Sequence, residues 1–157
     1  MINQKNFLEV LRDLGVEYFT GVPDSYLNGF CNCLCETVPN EKNIVAANEG
    51  NAIAIASGYY FSTGKIPLVY MQNSGLGNAI NPIISLADKD VYRVPMVLLI
   101  GWRGEPDSGD HVQHKMQGEI TTDLLEMLEI PYVIAKGNDD LLEKQVRPLI
   151  EKSKRER

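Results

Sequence analysis

The chain has 157 residues, 44% of them apolar, and carries 15 Lys plus Arg against 21 Asp plus Glu for a net charge of −6. That length suits one domain with its own hydrophobic core, and the sign of the charge argues against a phosphate-backbone binder and so against nucleic acid as a partner. No apolar run approaches the roughly 20 residues needed to span a bilayer, and the polar opening Met1-Ile2-Asn3-Gln4-Lys5-Asn6 has no signal core, so the expectation is a cytoplasmic protein with no membrane partner.

In chain order, Phe7, Val10, Leu11 and Leu14 fall at helical spacing before a stop at Gly15, which predicts a first helix. Tyr18-Phe19-Thr20 reads as a short strand, and the Gly21-Val22-Pro23-Asp24-Ser25 turn caps a helix from about Tyr26 to Thr37. That helix carries Cys31, Cys33 and Cys35, a spacing that fits neither a redox pair nor a zinc knuckle. Buried, reduced thiols acting as small apolar groups are expected, with Cys31 and Cys35 on one face and Cys33 on the other. Asn43-Ile44-Val45-Ala46 is a second strand, and Asn48 caps a long helix that reaches Gly64. Pro67 to Gln72 is a third strand, Asn73-Ser74-Gly75-Leu76-Gly77 opens a helix through about Asp88, and Val94 to Ile100 contains a fourth strand. Gly101 to Gly118 reads as a long irregular stretch, the kind that is usually functional or disordered. Thr121 and Thr122 then precede an amphipathic helix through Glu129, Tyr132-Val133-Ile134 is a fifth strand, and a last helix starts near Asp139. Residues 1–150 are expected to form the domain, with the charged 151–157 as a solvated helix end or the start of a linker.

Continuously apolar strands that alternate with helices predict a doubly wound α/β fold, a mostly parallel sheet with helices on both faces. Ligands of such folds lie at the carboxyl ends of the strands, which directs attention to the loops after them. Glu49 sits where a strand meets an apolar helix; a poorly solvated carboxyl there would share a proton with a basic nitrogen, or it serves only the positive end of the helix dipole. The loop Asn73 to Asn78 either cradles an anion or flat ring with backbone N–H groups or is a tight turn; it lacks the third glycine of a dinucleotide fingerprint, and no Gly-Lys-Ser/Thr occurs. His111 and His114 are candidates for proton transfer or are simply solvated, and Ser25 either caps its helix or holds a ligand carboxylate. A non-catalytic small-anion-binding module stays open on these residues, and an NAD-dependent reductase is disfavoured because the first strand lacks the glycine fingerprint.

Taken together, Phe19-Thr20-Gly21-Val22-Pro23-Asp24-Ser25, Asn48-Glu49-Gly50-Asn51-Ala52, Gln72 to Asn78 and Asp110-His111-Val112-Gln113-His114 resemble the pyrimidine-binding domain of thiamine-diphosphate-dependent decarboxylases, over about Phe7 to Asp140. Within that family the likeness is to the branch acting on phosphonopyruvate and sulfopyruvate. The resemblance implies decarboxylation of a 2-oxo acid with thiamine diphosphate and Mg2+. Glu49 matches the glutamate that engages the aminopyrimidine and activates the cofactor. His114, and His111 near it in sequence, match proton-relaying positions; Ser25, Asp24 and Asn73 match substrate-facing positions; Pro23, Ser74, Gly75, Gly77 and Asn78 match the cofactor cleft. No metal ligand is implied in this chain, because the family holds Mg2+ and the diphosphate through Gly-Asp-Gly and a later Asn on a second domain, and no Gly-Asp-Gly occurs here. Half an active site is therefore implied, completed by a second subunit or a C-terminal half, within a homo- or hetero-oligomer.

Overall fold

The computed structural model describes residues 2–136 and 138–155. Helix α1 (Gln4–Asp13) starts under the side chain of Asn3, which accepts from the amides of Lys5 and Asn6, and buries Phe7, Leu8 and Leu11. Strand β1 (Phe19–Gly21) leads through a single tight turn at Ser25–Leu27 into α2 (Asn28–Thr37), then β2 (Asn43–Val45). Helix α3 (Glu49–Thr63) is capped by Asn48, whose side chain accepts from the amide of Asn51 at 2.9 Å. Strand β3 (Leu68–Gln72) precedes α4 (Leu76–Pro82), which widens into a π-helical turn through Ala87. Strand β4 (Val97–Gly101), α5 (Val112–Met127) and α6 (Asp139–Arg155) complete the described elements.

The sheet is parallel, in the order β2-β1-β3-β4, with Thr20 opposite both Ile44 and Val69, and Val69 opposite Leu98. Because strand side chains alternate, this register sends Phe19, Leu68 and Tyr70 to one face, against Leu8 and Leu11 of α1, Phe30 and Leu34 of α2 and Ile150 of α6. Val69 and Met71 point to the other face, against Ala52, Ile53 and Ala56 of α3, Ala79 of α4 and Leu125 of α5. Helix α3 contains two internal glycines, each costing roughly 0.5–1 kcal/mol against alanine; complete burial of Ala52, Ile53 and Ala56 offsets that through packing. The expected doubly wound fold is thus present. Its strand order reverses between β1 and β3, which places a crevice at their carboxyl ends.

Some sequence expectations differ from what folds. Tyr132-Val133-Ile134 forms no strand: Pro131 removes a ladder donor at its start, and Tyr132 packs toward α5, its hydroxyl donating to Glu126 at 3.1 Å. The irregular stretch is shorter than expected, since α5 begins at Val112 rather than after Thr122. Gly118 is no breaker there; a Cβ on it would overlap the backbone of Gly104, so the missing side chain lets the preceding loop lie directly on the helix. Among the cysteines, only Cys33 is buried, beside Phe30 and Leu34; Cys31 is half-buried and Cys35 exposed, all as free thiols. The charged tail continues α6 as helix through Arg155, and residues 156 and 157 lie outside the described residues, as do Met1 and Gly137.

Candidate active site at the carboxyl ends of the strands

Glu49 is the first residue of α3, directly beyond β2. The side-chain amide of Asn78, in the first turn of α4, donates to its Oε2 at 2.8 Å. A Cβ on Gly75 would overlap the Glu49 carboxyl, including Oε1, so the glycine is what allows the carboxylate to lie against the loop after β3. Gly50 makes the matching approach on the other side, where a Cβ would come within 2.8 Å of the Asn78 carbonyl oxygen. The structure therefore brings Glu49, Gly75 and Asn78 into one constellation. Glu49 is half-buried rather than enclosed, because its cover comes from this one loop. Ser74 accepts from Gln72 Nε2 at 2.6 Å, and Gly77 is exposed with nothing packed on its Cα.

A second constellation centres on Arg103, just past β4. Its Nε and Nη2 donate to the two oxygens of Asp110 at 2.7 and 2.8 Å, a bidentate pair. Asp110 also accepts from the amides of Gly104 and His111 at 2.9 and 2.7 Å. These four donors, the Arg103 guanidinium foremost, hold the Asp110 carboxyl well below the usual carboxylate range, and the same pairing raises the Arg103 pKa. Arg103 Nη1 donates to Ser25 Oγ at 3.3 Å, and the guanidinium lies over the Tyr26 ring, 5.8 Å from its centroid. Asp24 is buried; its Oδ2 accepts from the Tyr26 amide at 3.0 Å, and it packs so closely on Gly101 that a Cβ there would fall 2.5 Å from it. The loops after β1 and β4 are thereby tied together across the crevice.

Asn73, which the resemblance matches to a substrate-facing position, has its side chain engaged within the domain. It is fully buried, and its amide donates to the Arg103 carbonyl at 2.8 Å and Thr121 Oγ1 at 2.9 Å, while its Oδ1 accepts from the Arg103 amide at 3.3 Å. Gln117 of α5 donates to its carbonyl at 3.1 Å. With its side-chain groups engaged inward, Asn73 brackets β3, the β4 loop and α5. His111 is exposed at the head of α5 and His114 half-buried in its first turn, where a Cβ on Gly104 would overlap the His114 backbone. No hydrogen bond joins either imidazole to Glu49 or Ser25 among the described residues, and Pro23 is exposed on the β1 loop. Arg103, Gln117 and Thr121 sit in no local motif that marks them as site residues; the one signal in the sequence is that Arg103 is the sole Lys or Arg in the segments 22–27, 46–48, 73–75 and 102–111 that leave the strands. No group of three or more His, Cys, Asp or Glu among the described residues is arranged to hold a metal ion, and no helix there is long and apolar enough to cross a membrane.

The family of thiamine pyrophosphate enzymes defined by their N-terminal TPP binding domain matches residues 4–127. The chain is 35% identical over 142 residues to the phosphonopyruvate decarboxylase of Streptomyces viridochromogenes, covering 90% of this chain and 35% of that protein. It is 36% identical over 132 residues to the sulfopyruvate decarboxylase subunit alpha of Methanococcus maripaludis, covering 84% of this chain and 76% of the subunit. Benzoylformate decarboxylase from Polynucleobacter necessarius superposes with a TM-score of 0.53 and 27% identity, over 64% of this chain and 18% of that one. The chain thus spans about a third of the length of the phosphonopyruvate decarboxylases it matches. The matched span runs from the first residue of α1 to the last of α5, across all four strands and the loops that carry Glu49, Gly75 and Arg103; the chain belongs to the thiamine pyrophosphate enzymes as their N-terminal cofactor-binding domain.

Proposed function

We propose that this chain supplies the pyrimidine-side half of the active site of a thiamine-diphosphate-dependent 2-oxo-acid decarboxylase, one that converts phosphonopyruvate to phosphonoacetaldehyde and carbon dioxide. The observation that carries the reading is the Glu49 carboxylate, steadied by Asn78 and laid against Gly75 at the mouth of the crevice. These residues fit the cofactor's ring: an acceptor oxygen beside a loop with no side chain to block a flat ligand. A second reading, the alpha subunit of a sulfopyruvate decarboxylase, is supported by 36% identity to such a subunit over 132 residues. Both substrates are small 2-oxo acids with a second acidic group.

When bound, thiamine diphosphate supplies the nucleophilic carbon and the electron sink for loss of carbon dioxide. Glu49, its Oε2 occupied by Asn78, offers Oε1 to share a proton with the pyrimidine nitrogen. Ser74, Gly75 and Gly77 line the ring's side of the cleft, with Pro23 on the facing loop. Ser25 accepts from Arg103, so its own hydroxyl hydrogen is free to donate to the substrate carboxylate, and Asp24 holds the turn that carries it. His114, with His111 beside it, moves protons at the reacting centre. The diphosphate and Mg2+ are assigned to a partner domain or subunit bearing Gly-Asp-Gly, a sequence that does not occur among these 157 residues, since hard divalent ions need oxygen ligands. Support for a partner comes from α5, where Val112, Met116, Ile120 and Met127 form an exposed apolar stripe opposite the buried side of the helix. The setting of the reading is cytoplasmic.

The test is carbon dioxide release from phosphonopyruvate and from sulfopyruvate by the purified chain with saturating thiamine diphosphate and Mg2+, with and without the diphosphate-binding half. Activity only in the mixture is expected. Robust turnover by the chain alone sinks the half-site reading, and no turnover in the mixture with either acid sinks the decarboxylase reading.

A further inference from the structure

We propose that Arg103, set in place by Asp110, forms the subsite for the distal, non-reacting oxyanion of the substrate, a tetrahedral phosphonate or sulfonate; the proposal rests on the decarboxylase reading above. A guanidinium has five N–H donors. Three are engaged among the described residues, two by Asp110 and one by Ser25, which leaves one hydrogen on Nη1 and one on Nη2. That pair suits two oxygens of one oxyanion. The side chain is only 16% exposed, so little solvent competes for it, and the bidentate clasp with Asp110 removes most of the freedom that a surface arginine would lose on binding.

The charge balance points the same way. The segments leaving the strands contain the carboxylates of Asp24, Glu105, Asp107 and Asp110, with Glu49 at the head of α3, and Arg103 is their one Lys or Arg. Within these segments the Arg103 guanidinium is the one positive charge that an acidic 2-oxo acid can meet, although Lys136, from outside them, pairs with Glu105. Asp110 does not cancel it, because the amides of Gly104 and His111 take up part of the carboxylate's charge. The cation is better used on the remote group than on the carboxylate that leaves. Holding the reacting carboxylate by a full positive charge would stabilise the ground state and lose that stabilisation as carbon dioxide departs, whereas binding energy from a non-reacting group carries through to the transition state. This division leaves the neutral Ser25 hydroxyl for the carboxylate and Arg103, 3.3 Å away, for the far end.

The experiment uses the completed enzyme and compares kcat/KM for phosphonopyruvate, sulfopyruvate and pyruvate in the wild type, R103Q, R103K and D110N. R103Q is expected to lower the ratio of either acidic substrate to pyruvate by roughly 10- to 100-fold, the worth of one or two charge-assisted hydrogen bonds, mainly through KM. The acid with the larger loss names the end group. R103K, which keeps the charge without the fork, should fall between, and D110N, which loosens the clasp but keeps the guanidinium, should lose less selectivity than R103Q. Equal losses on all three substrates, or an unchanged ratio, overturn the proposal and leave Arg103 a structural residue. A binding arm needs no turnover: titrating methylphosphonate or methanesulfonate into the chain should shift the amide signals of Ser25 and Gly104 in the wild type and not in R103Q. Shifts that persist in R103Q, or their absence in the wild type, also overturn it. A wild-type mixture with no decarboxylase activity would remove the functional reading, while this titration still decides the subsite.

Discussion

Asn78 Nδ2 donates to Glu49 Oε2 across 2.8 Å and so joins the first turns of α4 and α3, two helices that leave the sheet after different strands. The bond fixes one carboxylate oxygen and leaves the other beside Gly75. A group meant only to complement the dipole of α3 would not need that support, because the helix field acts on the charge at any rotamer.

Three substitutions separate the roles at this point. Glu49→Gln in the completed enzyme is expected to cut turnover by ~100- to 10,000-fold, the range for a positioned acid or base, with the melting temperature nearly unchanged because the residue is half-buried. Asn78→Ala, which only frees the carboxylate, should cost about 10-fold, in line with the roughly 1.5 kcal/mol of one hydrogen bond to a charged group. Gly75→Ala should resemble Glu49→Gln, since its Cβ takes the space of the carboxyl. Steady-state kinetics beside thermal melts check all three, and Glu49→Gln with more than half the wild-type rate would return Glu49 to a helix-end role.

The Asn73 bracket predicts a loss of stability before any loss of chemistry. Asn73→Ala removes three hydrogen bonds in a fully buried place; the Arg103 carbonyl loses its side-chain donor, while Thr121 Oγ1 keeps its bond to the Gln117 carbonyl and the Arg103 amide its bond to the Gly101 carbonyl. A buried polar group stripped of its partner costs about 1–3 kcal/mol, so denaturant unfolding of the variant should show a lower midpoint by that free energy, with an unchanged slope. Thr121→Val removes the bond accepted from Asn73 and the one donated to the Gln117 carbonyl but leaves Asn73 both contacts with Arg103, so it should lose less. A variant as stable as the wild type, but impaired in substrate affinity, would put Asn73 back among the substrate contacts.

How much of this was legible follows the range of the interactions. The strands, the Asn48 cap, the stop at Gly15 and the position of Glu49 at a strand-to-helix junction all come from patterns a few residues long. The Arg103–Ser25 contact spans 78 positions and the Asn73–Thr121 contact 48, and no local spacing announces either. The start of α5 is hidden in the sequence for a different reason. Its first half shows its apolar residues, Val112 and Met116, to solvent, so the hydrophobic pattern there does not mark a face turned to the core. Tyr132-Val133-Ile134 has strand composition without a strand, because side-chain packing toward α5 and the proline before it outweigh β propensity.

Stability should also fall on the alkaline side through Tyr70. Burial of its hydroxyl, with lesser contributions from Cys31 and Cys35, pushes the phenol up to about 12, and the group donates to Asn43 Oδ1 at 3.1 Å. In the unfolded chain a tyrosine titrates near ~10. Between these values the unfolded state releases a proton that the folded state keeps, so rising pH favours unfolding; the contribution is complete below the unfolded value and is lost as pH climbs toward the folded one. Tyr70→Phe should flatten this alkaline decline while lowering stability at neutral pH by about 0.5–1.5 kcal/mol for the lost hydrogen bond. Urea midpoints from neutral to strongly alkaline pH test it. The slope that remains should come in part from Tyr18, Tyr132 and the Cys31 thiol, all of which burial raises.

The outer face of α5 exposes apolar side chains that a partner should cover. Val112, Met116 and Met127 are 86%, 67% and 74% exposed, and Ile120 continues the same side at 41%. Leu125, Thr121 and Gly118 occupy the opposite, buried side, so apolar side chains stand on both flanks of the helix, and only one flank is covered among the described residues. Exposed apolar area of this kind is retained where another surface covers it, and methionines suit a contact that must adapt its packing. The helix also carries His114 in its first turn and Gln117 against Asn73, so a partner seated on α5 would lie next to the site it completes. Met116→Lys with Met127→Lys should therefore weaken association with the diphosphate-binding half by about 10-fold or more, since placing two charges in an interface core adds a desolvation penalty to the lost apolar contact. The chain itself should stay folded, because neither side chain contributes to its core. Sedimentation or calorimetric titration of the double variant against that half, beside a far-ultraviolet spectrum of the chain, gives the answer. Unchanged affinity would move the interface elsewhere on the domain, and lost affinity with an intact fold would identify α5 as the face on which the other half of the active site is built.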